Sequence, residues 1–410
     1  MPNIRHIPQV RFKGFDDAWE QRKLYKLADF RRGLTYSPSD ISSNGIRVLR
    51  SSNILEDTFI ISADDVFVKP SAVNIPYAES GDILITSANG SSRLVGKHAI
   101  VFCAQGMMVH GGFMLLAHPY DNSSFVNALM SAPWYANFIN TYIAGGNGAI
   151  GNLNKSDLEN QDVLVPCDQE KRKIGTFFLA LDDLITLHQQ KYDKLVNLKA
   201  AMLEKMFPKD SADVPEVRFH GFADAWEQCK LGSVYVERNE RGNKNLPILS
   251  VSIHTGISNG ELSRDDLGKQ VRRSEDKSLY KHVMAGDLVF NMMRAWQGAI
   301  GVSSVEGMVS PAYITAASTC KLDSDFMDYT VKRKDIVNQI DNLSYGVTDF
   351  RKRLYWDSFV RVFCYFPEEP EQNKIGAFFR SLDDLITLHK RKLEKLRNIK
   401  QACLEKMFIS

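Results

Sequence analysis

The chain has 410 residues, enough for two or three domains that each bury a core. Its 44% apolar and 24% charged residues are ordinary for a globular protein, and no apolar run reaches the ~18 residues of a membrane span. The 51 Lys and Arg against 49 Asp and Glu leave a formal charge of +2, so charge alone does not indicate a nucleic-acid partner.

Taken in order, the opening MPNIRHIPQVRF lacks the apolar core of a signal peptide, and the expected location is the cytoplasm. Residues 10–24, VRFKGFDDAWEQRKL, return at residues 217–231 as VRFHGFADAWEQCKL. Phe12, Phe15 and Trp19, with Phe219, Phe222 and Trp226, read as an aromatic plug packing this segment onto a helix end rather than as a ligand contact. Two variable regions follow, at about residues 23–166 and 230–367, mixing short strands with helices. In each, a Gly-Asp turn leads into β-branched or aromatic residues (GDILITS from Gly81, GDLVFNM from Gly286), which predicts a strand. RVLRSSNI and PILSVSI read as equivalent strands, and so do MVHGGFMLL and MVSPAYIT. One scaffold thus carries two sets of widely diverged connections.

Each variable region gives way to a long helix, at residues 169–207 and 372–408. Ile174 recurs as Ile375 and Met206 as Met407, and roughly two-thirds of the aligned positions are identical, far above what helix composition alone produces. Asp168 and Glu369 stand at the expected N-caps, with Pro370 in a tolerated first-turn position. A seven-residue period places Ile174, Leu181, His188, Leu195 and Met202 on one seam and Phe177, Leu184, Lys191, Leu198 and Lys205 on a second, with Phe178, Ile185, Tyr192 and Met206 alongside. The second helix repeats the pattern with Ile375, Leu382, His389, Leu396 and Cys403, then Phe378, Leu385, Lys392, Ile399 and Lys406. Each helix needs a partner for its stripe, and the other helix is the obvious one. The expected helix-pair interface is Ile174, Phe177, Leu181, Leu184, Leu195, Leu198, Ile375, Phe378, Leu382, Leu385, Leu396 and Ile399.

Motifs for chemistry are sparse. The six cysteines form no CxxC pair and read as reduced, buried thiols. GGNGAIG at residues 145–151 is a formal GxGxxG match, but it opens no long helix of a βαβ unit and reads as a glycine turn. His188 and His389 lack ligand-spaced carboxylates or thiols and read, with Lys191 and Lys392, as polar seam residues setting register. Adjacent carboxylates such as Asp182-Asp183 and Asp383-Asp384 point about 100° apart on a helix, so they cannot face one another as an acid/base pair. GxSxG, HExxH, the P-loop and the Asn/Asp-Pro-Pro-aromatic motif of adenine methyltransferases are all missing from the sequence, so neither catalysis, a metal nor a cofactor is expected in this chain.

What remains is loop chemistry at corresponding places in both halves. The candidates for touching DNA are Arg50, Ser52, Asn89, Ser91, Arg93, Asn147, Asn152 and Lys155 in the first half, and Asn291, Arg294, Gln297, Arg351, Lys352 and Arg353 in the second. Arg and Asn or Gln can read guanine and adenine edges bidentately, while Lys and Ser hold phosphates.

The two VRF-x-GF-x-DAWEQ-x-KL segments, the Gly-Asp strands and the twin LDDLITLH helices, each led in by a segment ending in KIG, together resemble the specificity subunit of a Type I restriction–modification system, over almost the whole chain. The resemblance implies an α+β fold with two structurally similar target-recognition domains separated by an antiparallel pair of long coiled-coil helices. On this chain they would be residues 1–167 and 209–367, with the central helix at 168–208 and the C-terminal helix at 368–410. It further implies a non-catalytic, sequence-specific DNA-binding subunit that reads a bipartite double-stranded site and scaffolds two methyltransferase subunits and the restriction subunits. S-adenosylmethionine and ATP would belong to those partners. A coiled-coil adaptor that binds only proteins is the competing reading.

Overall fold

The computed structural model describes residues 6–102, 106–143, 151–209, 212–243, 245–253, 256–260, 277–346 and 352–409. The chain divides into two units, residues 1–189 with 391–410, and residues 190–390. Among the described residues no helix is long and apolar enough to cross a membrane.

In the first unit an antiparallel four-stranded sheet runs in the order His98–Ile100, Ile83–Thr86, Met114–Pro119, Ala28–Arg32. A second sheet orders Met108–His110, Ile46–Leu49, Val66–Val68 and Ile41–Ser42, with its first pair parallel. MVHGGFMLL is therefore two strands in two sheets, not one, because the chain turns at Gly111–Met114 (Met114 N–H to Gly111 O, 2.8 Å). The second unit repeats the main sheet in the same order: Ile300–Val302, Leu288–Asn291, Tyr313–Ser318, Tyr235–Glu237. MVSPAYIT likewise breaks at residues 310–313, where Tyr313 N–H reaches Ser310 O at 3.0 Å.

The Gly-Asp signature has a physical origin. Gly81 and Gly286 sit at φ +99° and +92°, a backbone region that side chains disfavour. The aspartate beside each is buried and closes the turn, with Asp82 accepting from Glu79 N–H and Asp287 from Met284 N–H, both at 2.8 Å. It is bonded further by His118 in one unit (2.7 Å) and by a two-bond Arg238 contact in the other (2.6 and 3.0 Å).

The opening segments act as clamps. Arg11 grips the fully buried Glu170 through two bonds of 2.7 and 2.8 Å, and Arg218 grips Glu371 through two of 2.7 Å. A buried carboxylate at the first helical turn is costly unless paired, so the VRF arginine is a requirement of the helix start. Phe12 and Phe219 meet Phe177 and Phe378 edge-on at 5.9 Å, while Lys173 and Lys374 cover Phe15 and Phe222. The aromatic plug is therefore packing, as its sequence indicated.

The long helices span Asp168–Lys205 and Glu369–Met407, so Asp168 and Glu369 are first helical residues, one place inside the cap. Gly175 and Gly376 let each helix touch the capped start of a short one. A Cβ on Gly175 would lie 2.6 Å from Asn122 Oδ1, which itself caps Phe125 N–H at 2.8 Å. In the second unit Asp323 caps Phe326 and abuts Gly376 in the same way.

The first unit's core includes Ile174, Phe178 and Leu181 from the start of the first long helix, and Leu404, Met407 and Phe408 from the end of the second. Phe408 touches Trp19, Phe125 and Phe178 with ring centroids 5.8–6.1 Å away. The second unit holds the mirror set: Phe207, ending the first long helix, against Trp226, Phe326 and Phe379. Within each unit the two helix segments run antiparallel. Phe178 faces Phe408 while Asp182 pairs with Lys400 at 2.6 Å, and Phe207 faces Phe379 while Lys199 pairs with Asp383 at 2.6 Å.

These contacts correct the expected second seam. The covered positions alternate by four and three: Ile174, Phe178, Leu181, Ile185, His188, then Tyr192, Leu195, Lys199, Met202, Met206, with the same spacing from Ile375 to Met407. Phe177 and Phe378 are covered by the opening segments, but Leu184, Leu198, Leu385 and Ile399 are exposed, as are Lys191 and Lys392. The first seam has apolar neighbours at both +3 (Phe177, Leu184, Leu198) and +4 (Phe178, Ile185, Met206), and the less exposed ones away from the opening segments lie on the +4 side. The cysteines differ from expectation too. Among the described residues all are free thiols, but only Cys364 is buried, and Cys167 and Cys320 are exposed.

Two measurements follow. Phe408→Ala empties an aromatic site and should destabilise the chain by about 3–5 kcal/mol in urea, whereas Leu184→Asp at an exposed site should stay within about 0.5 kcal/mol of wild type. His110, fully buried against Arg31 O, has its pKa pushed down to about 4 by burial, from an ordinary 6.5. The unfolded chain therefore takes up this proton first, so stability is complete above pH 6.5 and declines toward pH 4, by on the order of 3 kcal/mol for this group. Urea midpoints at pH 7 and 4.5 should show that decline, flattened in His110→Gln.

Candidate nucleic-acid interface

In each unit several connections emerge at one end of the main sheet. In the first they follow Arg32 and Thr86 and include the turn at residues 111–113, joined by the connection after Leu49 of the second sheet. Leu34 N–H bonds His110 O at 2.7 Å, Gly111 N–H bonds Leu49 O at 2.9 Å, and Ser87 and Ala88 N–H both bond Phe113 O at 2.9 and 3.0 Å. Strand Ala88–Asn89 pairs with Gly151–Asn152, and Leu153 N–H closes on Ser87 O at 2.7 Å. Asn89 Nδ2 donates to Ser51 Oγ at 3.0 Å, which ties the loop after Leu49 to the same cluster.

That loop is held from below. Asn53, fully buried, donates to Asp65 Oδ1 at 2.8 Å and accepts Arg50 N–H at 2.8 Å, while Arg47 pairs with the other carboxylate oxygen of Asp65. An amide and an ion pair buried together make the Ser51–Asn53 turn rigid, because separating them would strand a charge.

The structure brings Asn89 and Asn152 onto adjacent strands, with Arg50 and the exposed Ser52 flanking Ser51. Ser91 and Arg93 are exposed in the connection beyond Asn89, and Lys155 opens helix Lys155–Glu159, 3.6 Å from Glu159. Asn89 is largely spent on architecture, since its Oδ1 accepts Ser91 N–H at 2.9 Å as an Asx turn. Arg50 donates to Asp64 O at 3.1 Å. Asn147 and Arg351 lie outside the described residues, as do Cys103 and nearly all of the glycine turn at 145–151.

The second unit builds the same end with different chemistry. Met292 N–H bonds Ala312 O (3.1 Å) and Leu354 N–H bonds Met292 O (2.9 Å), matching the Ser87–Phe113 and Leu153–Ser87 contacts. Asn291 Oδ1 accepts Met293 N–H at 3.0 Å, again an Asx turn. Arg294 and Gln297 are exposed around the turn Ala295–Gln297, which Gly298 closes at φ +96°. Arg353, exposed, pairs through its backbone with Tyr345 (3.1 and 2.9 Å), whereas Lys352 is taken by Asp341 at 3.1 Å.

Two residues here escaped the sequence reading, the exposed aromatics Phe113 and Tyr345, the latter tilted against Tyr355 with ring centroids 4.8 Å apart. A Gly-Gly-Phe tip was the available signal for the first, since glycines favour a tight turn that leaves its third residue outside. These ends can offer hydroxyl, guanidinium and aromatic contacts on rigid backbone. Among the described residues no group of three or more His, Cys, Asp or Glu could hold a metal ion.

Residues 16–197 match the family model of the Type I restriction modification DNA specificity domain. A crystal structure of a Type I restriction-modification system S subunit from M. genitalium has a TM-score of 0.62 at 13% identity, covering 98% of this chain and 99% of that one, and so shares its fold. Two other structures match less closely. The HsdS subunit from Thermoanaerobacter tengcongensis gives a TM-score of 0.39 at 16% identity, over 95% of this chain and 96% of that one. A chain from a study of complex assembly and conformational transition of the type I R-M system gives 0.45 at 14%, over 95% and 97%.

Proposed function

We propose that this chain, whose residues 16–197 match the Type I restriction modification DNA specificity domain, is the non-catalytic subunit that reads a bipartite double-stranded DNA site and assembles the methyltransferase and restriction subunits around it. The observation that carries the reading is the contrast at the sheet ends. Equivalent backbone contacts support Asn152 and Phe113 in one unit, and Arg353 and Ala312 in the other. Two rigid frames with dissimilar side chains suit two dissimilar half-sites, so residues 1–167 and 209–367 would be the target-recognition domains. The helices at 168–208 and 368–410 would serve assembly, and the complex would work in the cytoplasm.

The net charge of +2 fits a reader that shares phosphate contacts with its partners. In each unit exposed apolar side chains of the long helices, Leu184, Leu187 and Ile399 in the first and Leu198, Leu385 and Leu388 in the second, support docking of the methyltransferase subunits, since apolar exposure is costly without a partner. Leu184→Asp with Leu385→Asp should abolish co-purification with a methyltransferase subunit while leaving the urea midpoint unchanged. Retained co-purification would remove the leucines from that role.

The decisive experiment maps methylated adenines in a host carrying or lacking this gene. A two-part motif that appears only with the gene is expected. Exchange of residues 23–166 for those of a relative should alter one half of that motif and leave the other intact. Loss of both halves would end the modular reading, and a map indifferent to the gene would favour a protein-only adaptor.

A further inference from the structure

We propose that Phe113 is a specificity-determining residue of the first unit, contacting the C5-methyl group of one thymine in the half-site which that unit reads; the inference rests on the DNA-reading function proposed above. Three observations lead to it. Phe113 is 73% exposed, the most exposed large apolar side chain among the described residues. Its backbone is nonetheless fixed: its carbonyl accepts two N–H bonds, from Ser87 and Ala88, and the turn is closed by Met114 N–H on Gly111 O. The ring is thus held out in water by a rigid frame, where a floppy loop would let it fold back onto the protein. Around it stand polar partners, Ser51 bonded to Asn89, and Asn152 on the neighbouring strand.

An isolated apolar ring among hydrogen-bonding side chains matches the pattern a base pair offers in the major groove. There thymine alone adds an apolar group, its methyl, beside the donors and acceptors. The second unit supplies the internal control. Ala312 occupies the place of Phe113, with its carbonyl accepting Met292 N–H at 3.1 Å. The frame therefore accepts alanine without rebuilding, and the ring is a feature of one unit only. The contact it makes belongs to one half-site.

The test uses the complex of this chain with its methyltransferase subunit, on duplexes carrying the methylation motif found by mapping. Each thymine of the motif is replaced in turn by deoxyuridine, which lacks only the methyl. The wild type should bind about fourfold more weakly at one position of the first half-site, the worth of one buried methyl group. Phe113→Leu should keep that discrimination, Phe113→Ala should lose it, and all three should treat the second half-site alike. Equal discrimination by wild type and Phe113→Ala at every position overturns the proposal. So does a ring-dependent rise in fluorescence from 2-aminopurine at the step, without thymine preference, which would mark a wedge between bases. Absence of any sequence-dependent binding by the wild-type complex would instead refute the DNA-reading function itself.

Discussion

Each unit's core is closed by an aromatic that the chain delivers from the far end of a long helix begun elsewhere. Phe408 fills the first unit and Phe207 the second, each among a tryptophan and two phenylalanines. The main-chain bonds Val10 N–H to Lys406 O and Val217 N–H to Lys205 O, both 2.9 Å, seal the same junctions. Neither half of the sequence completes a core alone. The first needs the last residues of the chain, and the second needs the end of the central helix.

That dependence explains which residues repeat. The recurrence of the opening arginine and the KIG glycine follows from contacts made in duplicate: Arg11 with Glu170 and Arg218 with Glu371, Gly175 on Asn122 and Gly376 on Asp323. Asp182 with Lys400 and Asp383 with Lys199 add paired charges at reciprocal positions. Partly exposed ion pairs contribute little stability, but a slip in register would separate both, so they select the alignment. Positions outside these contacts were free to diverge, and the sheet-end loops did.

The candidate interface shows rigidity and variety combined. Buried supports such as Asn53 with Asp65, and the two Asx turns at Asn89 and Asn291, fix backbone while exposed neighbours carry the chemistry. A side chain used as a support is not available to read a base: the turn asparagines are framework, whereas Arg294, Arg353 and Phe113 are exposed. Leu184, Leu187, Leu198, Leu385 and Leu388 of the long helices are exposed as well.

Much was legible from sequence because duplication and period are local properties. The two copies, the long helices, the Gly-Asp strands, the aromatic plug and the lack of catalytic motifs all follow from residue order. Where the sequence ran out, the missing information was spatial. Leu184 and Phe178 are equally apolar and both lie beside the first seam, and only the position of the partner helix decides that one is exposed and the other buried. MVHGGFMLL has the composition of one strand, and only the pairing of Met108 with Arg47 and of Met114 with Thr86 divides it between two sheets. Asn89 looks like a base reader until Ser51 and Ser91 claim its amide. Sequence determined that there are two alike frames and two long helices; tertiary structure decided which apolar faces meet and which polar groups remain free, because burial and hydrogen-bond partnership depend on neighbours distant along the chain.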